Sequence, residues 1–235
     1  STNAGIEILQ NGGNAIDAAI GTNIVQGVVA PETCGIGGDL FSLIWINGEK
    51  IPFCLDSSGY AGSNVDISQL STHISIPLDH PMSVTVPGAV KGWFSMHDRF
   101  GKLSIDDIFR QAIEICDEGF KVSTELHHSL SFHKDILIKQ ETGSELFPDG
   151  DSPEIGAIIK RSLLGTTLKR LSIVGPEYFY TGSVAKKISE TLNHVITEDD
   201  LRSFESKWIE PLSIDVYGKT GWVTPPHTQS YLTLG

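Results

Sequence analysis

The chain is poor in cysteine. Cys34, Cys54 and Cys116 are three in number and far apart, and no CxxC pair occurs. That leaves a zinc ribbon and a thioredoxin-type motif without support, and small buried thiols in a reducing compartment as the plain reading. Positive charge is also scarce. Seventeen Lys and Arg stand against 29 Asp and Glu, a net charge of −12, which argues against nucleic acid or an anionic membrane surface as partner. Apolar runs stay far short of the ~20 residues that span a bilayer. There is no fixed-period repeat and no low-complexity tract. An initiating methionine is missing too: the first residue is Ser1, and the last, Gly235, follows a fresh apolar run at Tyr231–Leu234. Both ends are expected to be cuts in a longer protein, so the lack of a visible signal peptide decides nothing.

What is present fits an ordinary globular protein, 40% hydrophobic and 20% charged, long enough to bury a sizeable core. The densest information lies in residues 11–41, where two glycine clusters bracket an alanine-rich segment. Gly12-Gly13 ends a short helix around Ile6, Ile8 and Leu9. Asn14 with Asp17 reads as an N-cap and its acidic partner. Ile16, Ala19, Ile20, Ile24 and Val28 fall at helical spacing. Ala15, Ala18 and Ala19 are small enough for close packing on a neighbour.

The cluster Gly35-Ile36-Gly37-Gly38-Asp39 then leads into a hairpin, Phe41–Ile46 and Ile51–Leu55. A type I′ turn is expected at Asn47-Gly48, and Pro52 places the second run at a sheet edge or bulge. Residues 56–83 read as irregular, Ser83–Val86 as a short strand and 89–100 as a helix. Ser104 caps a helix over Ile105–Asp117 that stops at Gly119. Further helices are expected over 122–140, 155–172 and 183–193, and Thr197 with Asp200 starts another. Leu212–Val223 is strand-like about a turn at Tyr217-Gly218-Lys219. No sharp linker appears, so one domain is expected, incomplete in this stretch.

Most chemical motifs fail on detail. The Rossmann pattern would need glycine where Leu40 stands, and here the glycines follow a helix and precede a strand, the reverse of the required order. No GK[ST] follows. His127, His128 and His133 match no metal-ligand spacing and read as a solvated helix face. Asp106-Asp107 and Asp199-Asp200 sit in first turns, where they favour the helix dipole. Ser57-Ser58-Gly59 lacks the frame of a nucleophile elbow, and Thr166-Thr167 lies inside a helix. No metal or cofactor is implied.

The order of segments says more than any one of them. AGIEILQNGGNAIDAAI, PETCGIGGDLF, LDSSGYAGS, VPGAVKGW, FRQAIEICDEGFKV, GPEYFYTG, ITEDDL and PPHTQS follow one another across residues 4–230. In that order the chain resembles the large-subunit portion of the γ-glutamyltranspeptidase (glutathione hydrolase) family. The resemblance implies an α+β fold, the four-layer αββα sandwich of N-terminal nucleophile hydrolases, incomplete here. It implies a zymogen that cleaves itself into two subunits, with a small subunit from the same precursor as partner. The new N-terminal threonine of that small subunit, beyond Gly235, would attack a γ-glutamyl amide such as glutathione, using its own amine as base. The acyl group then passes to water or to an amino acid. No catalytic residue is therefore nominated within this stretch. A homo-oligomer of the processed pair is allowed. The free cysteines lean toward the cytoplasm, while periplasm and exterior stay open because the start of the longer protein would decide.

The family grips the substrate α-carboxylate with an arginine in a D-x-R-E-x-A-P stretch. Here the matching residues are Asp56-Ser57-Ser58-Gly59-Tyr60-Ala61-Gly62, with Ser58 at the arginine position. Loss of the charged fork should weaken γ-glutamyl recognition by ~2 kcal/mol or more. The DSSG form looks more like oxamate amidohydrolase-like and cephalosporin acylase-like relatives of the same superfamily. Asp56, Ser58 and Tyr60 are the expected substrate-binding residues, and GIGGD is read as a packing and turn element. A rival reading is an amidohydrolase of this fold acting on an oxamate- or glutaryl-type amide. Another is a homologue that binds a small ligand without cleaving it.

Overall fold

The computed structural model describes residues 1–70, 75–140, 143–226 and 228–234. In chain order the elements are α1 (Thr2–Gln10), α2 (Ala15–Val29), β1 (Leu40–Ile44), β2 (Phe53–Ser57), α3 (Ile67–Leu70), α4 (Ala89–Phe100) and α5 (Ile105–Glu118). There follow β3 (Phe120–Lys121), α6 (Thr124–Leu137), α7 (Gly143–Leu146), β4 (Ile158–Ile159), α8 (Ser162–Val174) and α9 (Glu177–Tyr180). The last are α10 (Gly182–Thr191), α11 (Glu198–Ser203), β5 (Lys207–Ile209), β6 (Leu212–Val216), β7 (Lys219–Val223) and α12 (Ser230–Leu234). The chain divides into two compact units, Ser1–Ile36 with Met96–Phe179, and Gly37–Ser95 with Tyr180–Gly235.

The first unit is helical. Helix α2 packs on α1 and α5, and α5 packs on α8. Ile20, Ile24, Val28, Ile108, Phe109, Ala112, Cys116, Leu168 and Leu171 are buried there. Gly21 sits at the tightest point of the crossing: a Cβ on it would lie 2.2 Å from Ile8 Cδ1, which would have to turn aside, and 3.3 Å from the Ile108 carbonyl oxygen. Of the three alanines expected to pack closely, only Ala18 does so. Ala15 and Ala19 are exposed and line an open apolar concavity with α1. Arg161 closes the other end of α2, donating from Nη1 to the carbonyls of Gly27 (2.9 Å) and Val28 (3.3 Å).

The N-terminus of α2 carries a full capping box. Asn14 Oδ1 accepts from the backbone N–H of Ile16 (2.9 Å) and Asp17 (3.0 Å), and Asp17 Oδ2 accepts from Asn14 N–H (2.9 Å). The same two side chains also hold the turn between α4 and α5. Asn14 Nδ2 donates to the Phe100 carbonyl (2.6 Å), and the Asp17 carboxylate accepts from Lys102 N–H (3.0 Å) and Leu103 N–H (3.2 Å). Asp17 is fully buried, and its charge is met by three backbone donors instead of a counter-ion.

Ser104 caps α5 as expected and Gly119 ends it at φ +99°. The helix expected over 155–172 starts only at Ser162, because Ile158-Ile159 pair as a short strand with Phe120-Lys121. That pairing buries Ile159 with Val122, Leu126, Leu130 and Phe147.

The second unit holds the other two sheets. β1, β2 and β5 form an antiparallel sheet with β2 in the centre, so Pro52 lies in the loop before a central strand and not on an edge. The expected type I′ turn is not at Asn47-Gly48. Residues 45–52 form a wider loop in which only Gly48 has positive φ (+94°) and Glu49 N–H donates to the Ile46 carbonyl (3.0 Å). The tight two-residue turn lies instead between β6 and β7, where Tyr217 (+50°) and Gly218 (+71°) both take positive φ, the requirement of type I′. The strand expected at Ser83–Val86 is reduced to one bridge, Thr85 with Ala61, since Pro81–Ser83 coil into a 3₁₀ turn.

Candidate functional site

Strand β2 delivers the DSSGYAG segment to the end of the three-stranded sheet. Ser57 is fully buried. Its hydroxyl donates to the Gly88 carbonyl (2.7 Å) and lies 2.7 Å from Ser206 Oγ. Beyond it the chain turns because Asp56 Oδ1 accepts from both Ser58 N–H (2.9 Å) and Ser58 Oγ (2.7 Å), an Asx turn built from side chain to backbone.

Gly59 comes next. Its N–H donates to Asp39 Oδ1 (2.8 Å), so the acidic end of GIGGD holds this loop. The Gly38 carbonyl meanwhile accepts from Gly88 and Ala89 N–H (2.9 and 2.8 Å). GIGGD thus acts as a turn and packing element. Tyr60 is half-exposed, and its phenol donates to the Asp200 carbonyl (2.7 Å) and lies 3.1 Å from Ser203 Oγ.

Asp200 joins two jobs in one side chain. With Thr197 it forms the capping box of α11, and its Oδ2 also accepts from Ser63 N–H (3.0 Å) and Oγ (2.9 Å). Burial alone would raise its pKa, but the bonds from Ser63 and Thr197 outweigh that and hold it below the usual carboxylate value. A depressed native pKa stabilises the fold above the unfolded value, about 3.9, and that share is lost as pH falls through the native pKa. Asp200→Asn should therefore unfold more easily than wild type at pH 7, and the gap in denaturant midpoint should narrow as pH drops below about 4. A gap that stays constant down to pH 3 would contradict this role.

Asp56, Ser58, Gly59 and Tyr60 line one cleft of about 310 Å³, closed on the other side by Ser203, Phe204, Glu205 and Lys207. All three expected site residues, Asp56, Ser58 and Tyr60, are brought together there. The second wall was not foreseen. Its position follows from the antiparallel pairing of β2 with β5, which sets Asp56 directly opposite Lys207. The wall is stiffened by aromatic packing: Phe204 stacks on Tyr180 (5.9 Å) and tilts against Tyr60 (6.0 Å). Lys91 bonds Glu205 (2.9 Å) and sits 5.5 Å over the Tyr180 ring. The only local signal for this wall is the Thr197–Asp200 capping box, which fixes where α11 begins.

The other candidate residues lie elsewhere. His127 and His133 are half-buried and His128 exposed on α6, and a ring nitrogen of His127 lies 2.9 Å from the Pro153 carbonyl. Thr166 and Thr167 spend their hydroxyls on carbonyls one turn back. Cys54 and Cys116 are buried and Cys34 half-buried, all free. Burial pushes the Cys116 thiol up to about 12, and burial, then the charge of Asp56, pushes up Cys54, so neither is a thiolate nucleophile at neutral pH. Among the described residues, no three or more His, Cys, Asp and Glu side chains converge to hold a metal ion, and no helix is long and apolar enough to cross a membrane.

A family model described as gamma-glutamyltranspeptidase matches residues 1–234. The chain is similar to the glutathione hydrolase-like YwrD proenzyme of Bacillus subtilis, 29% identical over 239 residues that cover 100% of this chain and 46% of that protein. It is also similar to the oxamate amidohydrolase proenzyme of Klebsiella pneumoniae, 29% identical over 244 residues that cover 100% of this chain and 46% of that protein. The chain spans about half the length of these curated relatives. Among solved structures, a gamma-glutamyltranspeptidase from Pseudomonas nitroreducens complexed with L-DON superposes with a TM-score of 0.86 at 29% identity, covering 99% of this chain and 70% of that one. The α+β class expected from the sequence holds, and the chain shares the fold of that structure.

Proposed function

The chain belongs to the gamma-glutamyltranspeptidase family, and on that premise we propose that it is the large-subunit part of an N-terminal nucleophile amide hydrolase or acyltransferase. The threonine nucleophile lies in the partner small subunit, released from the same precursor by self-cleavage. Its hydroxyl adds to the amide carbonyl of a γ-glutamyl or related substrate, and the amine leaves with a proton. Water or an acceptor amine then resolves the acyl-enzyme. This chain contributes one wall of the acyl pocket through Asp56, Ser58 and Tyr60. The observation that carries the reading is their convergence on a single cleft.

One feature favours a second reading, an amidohydrolase of the same fold acting on an oxamate- or glutaryl-type amide. At the position where the resemblance calls for arginine, Ser58 gives its only hydroxyl hydrogen to Asp56. It has neither a charge nor a donor left for a substrate α-carboxylate. The test begins with the full-length protein on a denaturing gel, where folding should yield two chains. A single uncleaved band argues for a ligand-binding homologue without catalysis. The processed protein is then assayed with γ-glutamyl-p-nitroanilide, glutaryl-p-nitroanilide and oxamate. Dominant γ-glutamyl turnover supports the transpeptidase reading, and turnover of the other two at its expense supports the second.

A further inference from the structure

The cleft of the second unit carries charges of both signs, and all but one of them are already engaged. Asp56 Oδ1 is turned into its own loop by the two bonds from Ser58. Glu205 Oε1 receives Lys91 at 2.9 Å. The neutral donors are used as well: Tyr60 gives its phenol hydrogen to the Asp200 carbonyl, and Ser203 gives its hydroxyl to the Asp199 carbonyl (2.7 Å). Lys207 is the exception. It is exposed and lines the cleft, and its ammonium group has no ion-pair or hydrogen-bond partner among the described residues.

We infer that Lys207 is the anion anchor of this cleft, receiving the carboxylate of a small acyl amide that needs no α-ammonium group. The inference rests on the reading that the cleft holds the acyl part of an amide substrate. The sign of the ligand follows from what is uncommitted. A cation without a partner attracts an anion. A ligand ammonium, by contrast, would meet carboxylates that already serve the loop and Lys91. Lysine is a compact point charge with three rotatable donors, so it tolerates carboxylates at varied distance from the scissile bond. The plain alternative is that Lys207 is a solvated residue balancing Asp56 across the strand pair.

The test uses the full-length protein, with Lys207→Met and Lys207→Arg beside wild type. Lys207 is exposed, so all three should melt together. Calorimetric titration with glutarate should show binding to wild type, a Kd raised about tenfold or more in Lys207→Met, and one within about threefold of wild type in Lys207→Arg. L-Glutamate, which adds the α-ammonium, should bind no more than about threefold tighter than glutarate. In turnover, Lys207→Met should raise KM for glutaryl-p-nitroanilide about tenfold or more, a far larger change than for butyryl-p-nitroanilide, which has no carboxylate. Equal glutarate binding by wild type and Lys207→Met overturns the inference. So does absence of glutarate binding to wild type, or a clear preference for L-glutamate. If glutarate binds through Lys207 but neither anilide is cleaved, the amidase reading falls and the anchor stands.

Discussion

Replacing Asp17 with alanine should lower the stability of the protein by about 4 kcal/mol, a large share of the roughly 5–15 kcal/mol typical of a domain. The carboxylate accepts from three backbone N–H groups, those of Asn14, Lys102 and Leu103. A bond to a charged acceptor contributes about 1.5–3 kcal/mol net, and the three are not additive because water can enter the gap. Alanine removes all of them and leaves buried donors unmet. Asp17→Asn should fall between wild type and alanine, since one side of its amide presents N–H to backbone N–H. The control is Asp106→Ala in the first turn of α5. That side chain is exposed and serves the helix dipole, so its loss should cost about 0.5 kcal/mol. Urea titrations at matched slope would give both values from the midpoints. The role assigned to Asp17 fails if its alanine variant is as mild as that of Asp106.

Asp17 also marks the boundary of what was legible in the sequence. The caps at Asn14, Ser104 and Thr197 and the stop at Gly119 were readable because each is decided within four residues of chain. The tie from Asp17 to residues 102 and 103 spans some 85 positions, and nothing local announces it. The same division separates the two halves of the cleft. Asp56, Ser58 and Tyr60 are near neighbours, held by an Asx turn that the D-S-S-G string suggests. Lys207 reaches the cleft only because β5 pairs with β2, a register that no local pattern specifies. Short strands suffered in the same way. Ile158-Ile159 looks helical in a window that runs on into α8, and only its partner Phe120-Lys121 makes it a strand. Asn47-Gly48 is the better type I′ dipeptide, but residues 45–52 bridge their strands with a wide loop. At Tyr217-Gly218 the strands meet two residues apart, and the geometry imposes left-handed φ on a tyrosine.

The glycine density before β1 misleads about which glycine matters. Gly37, inside GIGGD, has open space where a Cβ would go and no left-handed φ. Gly37→Ala should change stability by no more than about 0.5 kcal/mol, and a slight gain is in order because alanine restricts the unfolded chain. Gly59 is the opposite case. A Cβ there would fall 1.7 Å from the Val86 carbonyl oxygen and 2.8 Å from Val86 nitrogen. Those are backbone atoms of a fully buried residue whose N–H donates to the Tyr60 carbonyl (3.0 Å), so no rotamer change relieves the clash. The loop itself must move. That breaks the bond from Gly59 to Asp39, shifts Tyr60 off the Asp200 carbonyl, and opens the cleft between its two walls. Gly59→Ala should cost about 3 kcal/mol or more, the upper end for overpacking, and should weaken glutarate binding about tenfold or more even where the protein stays folded. Paired denaturation and titration of the two alanine variants would show whether the site depends on the DSSG glycine or on the conspicuous cluster before β1. Equal effects from both would mean that the cleft is not held by the Gly59–Val86 contact.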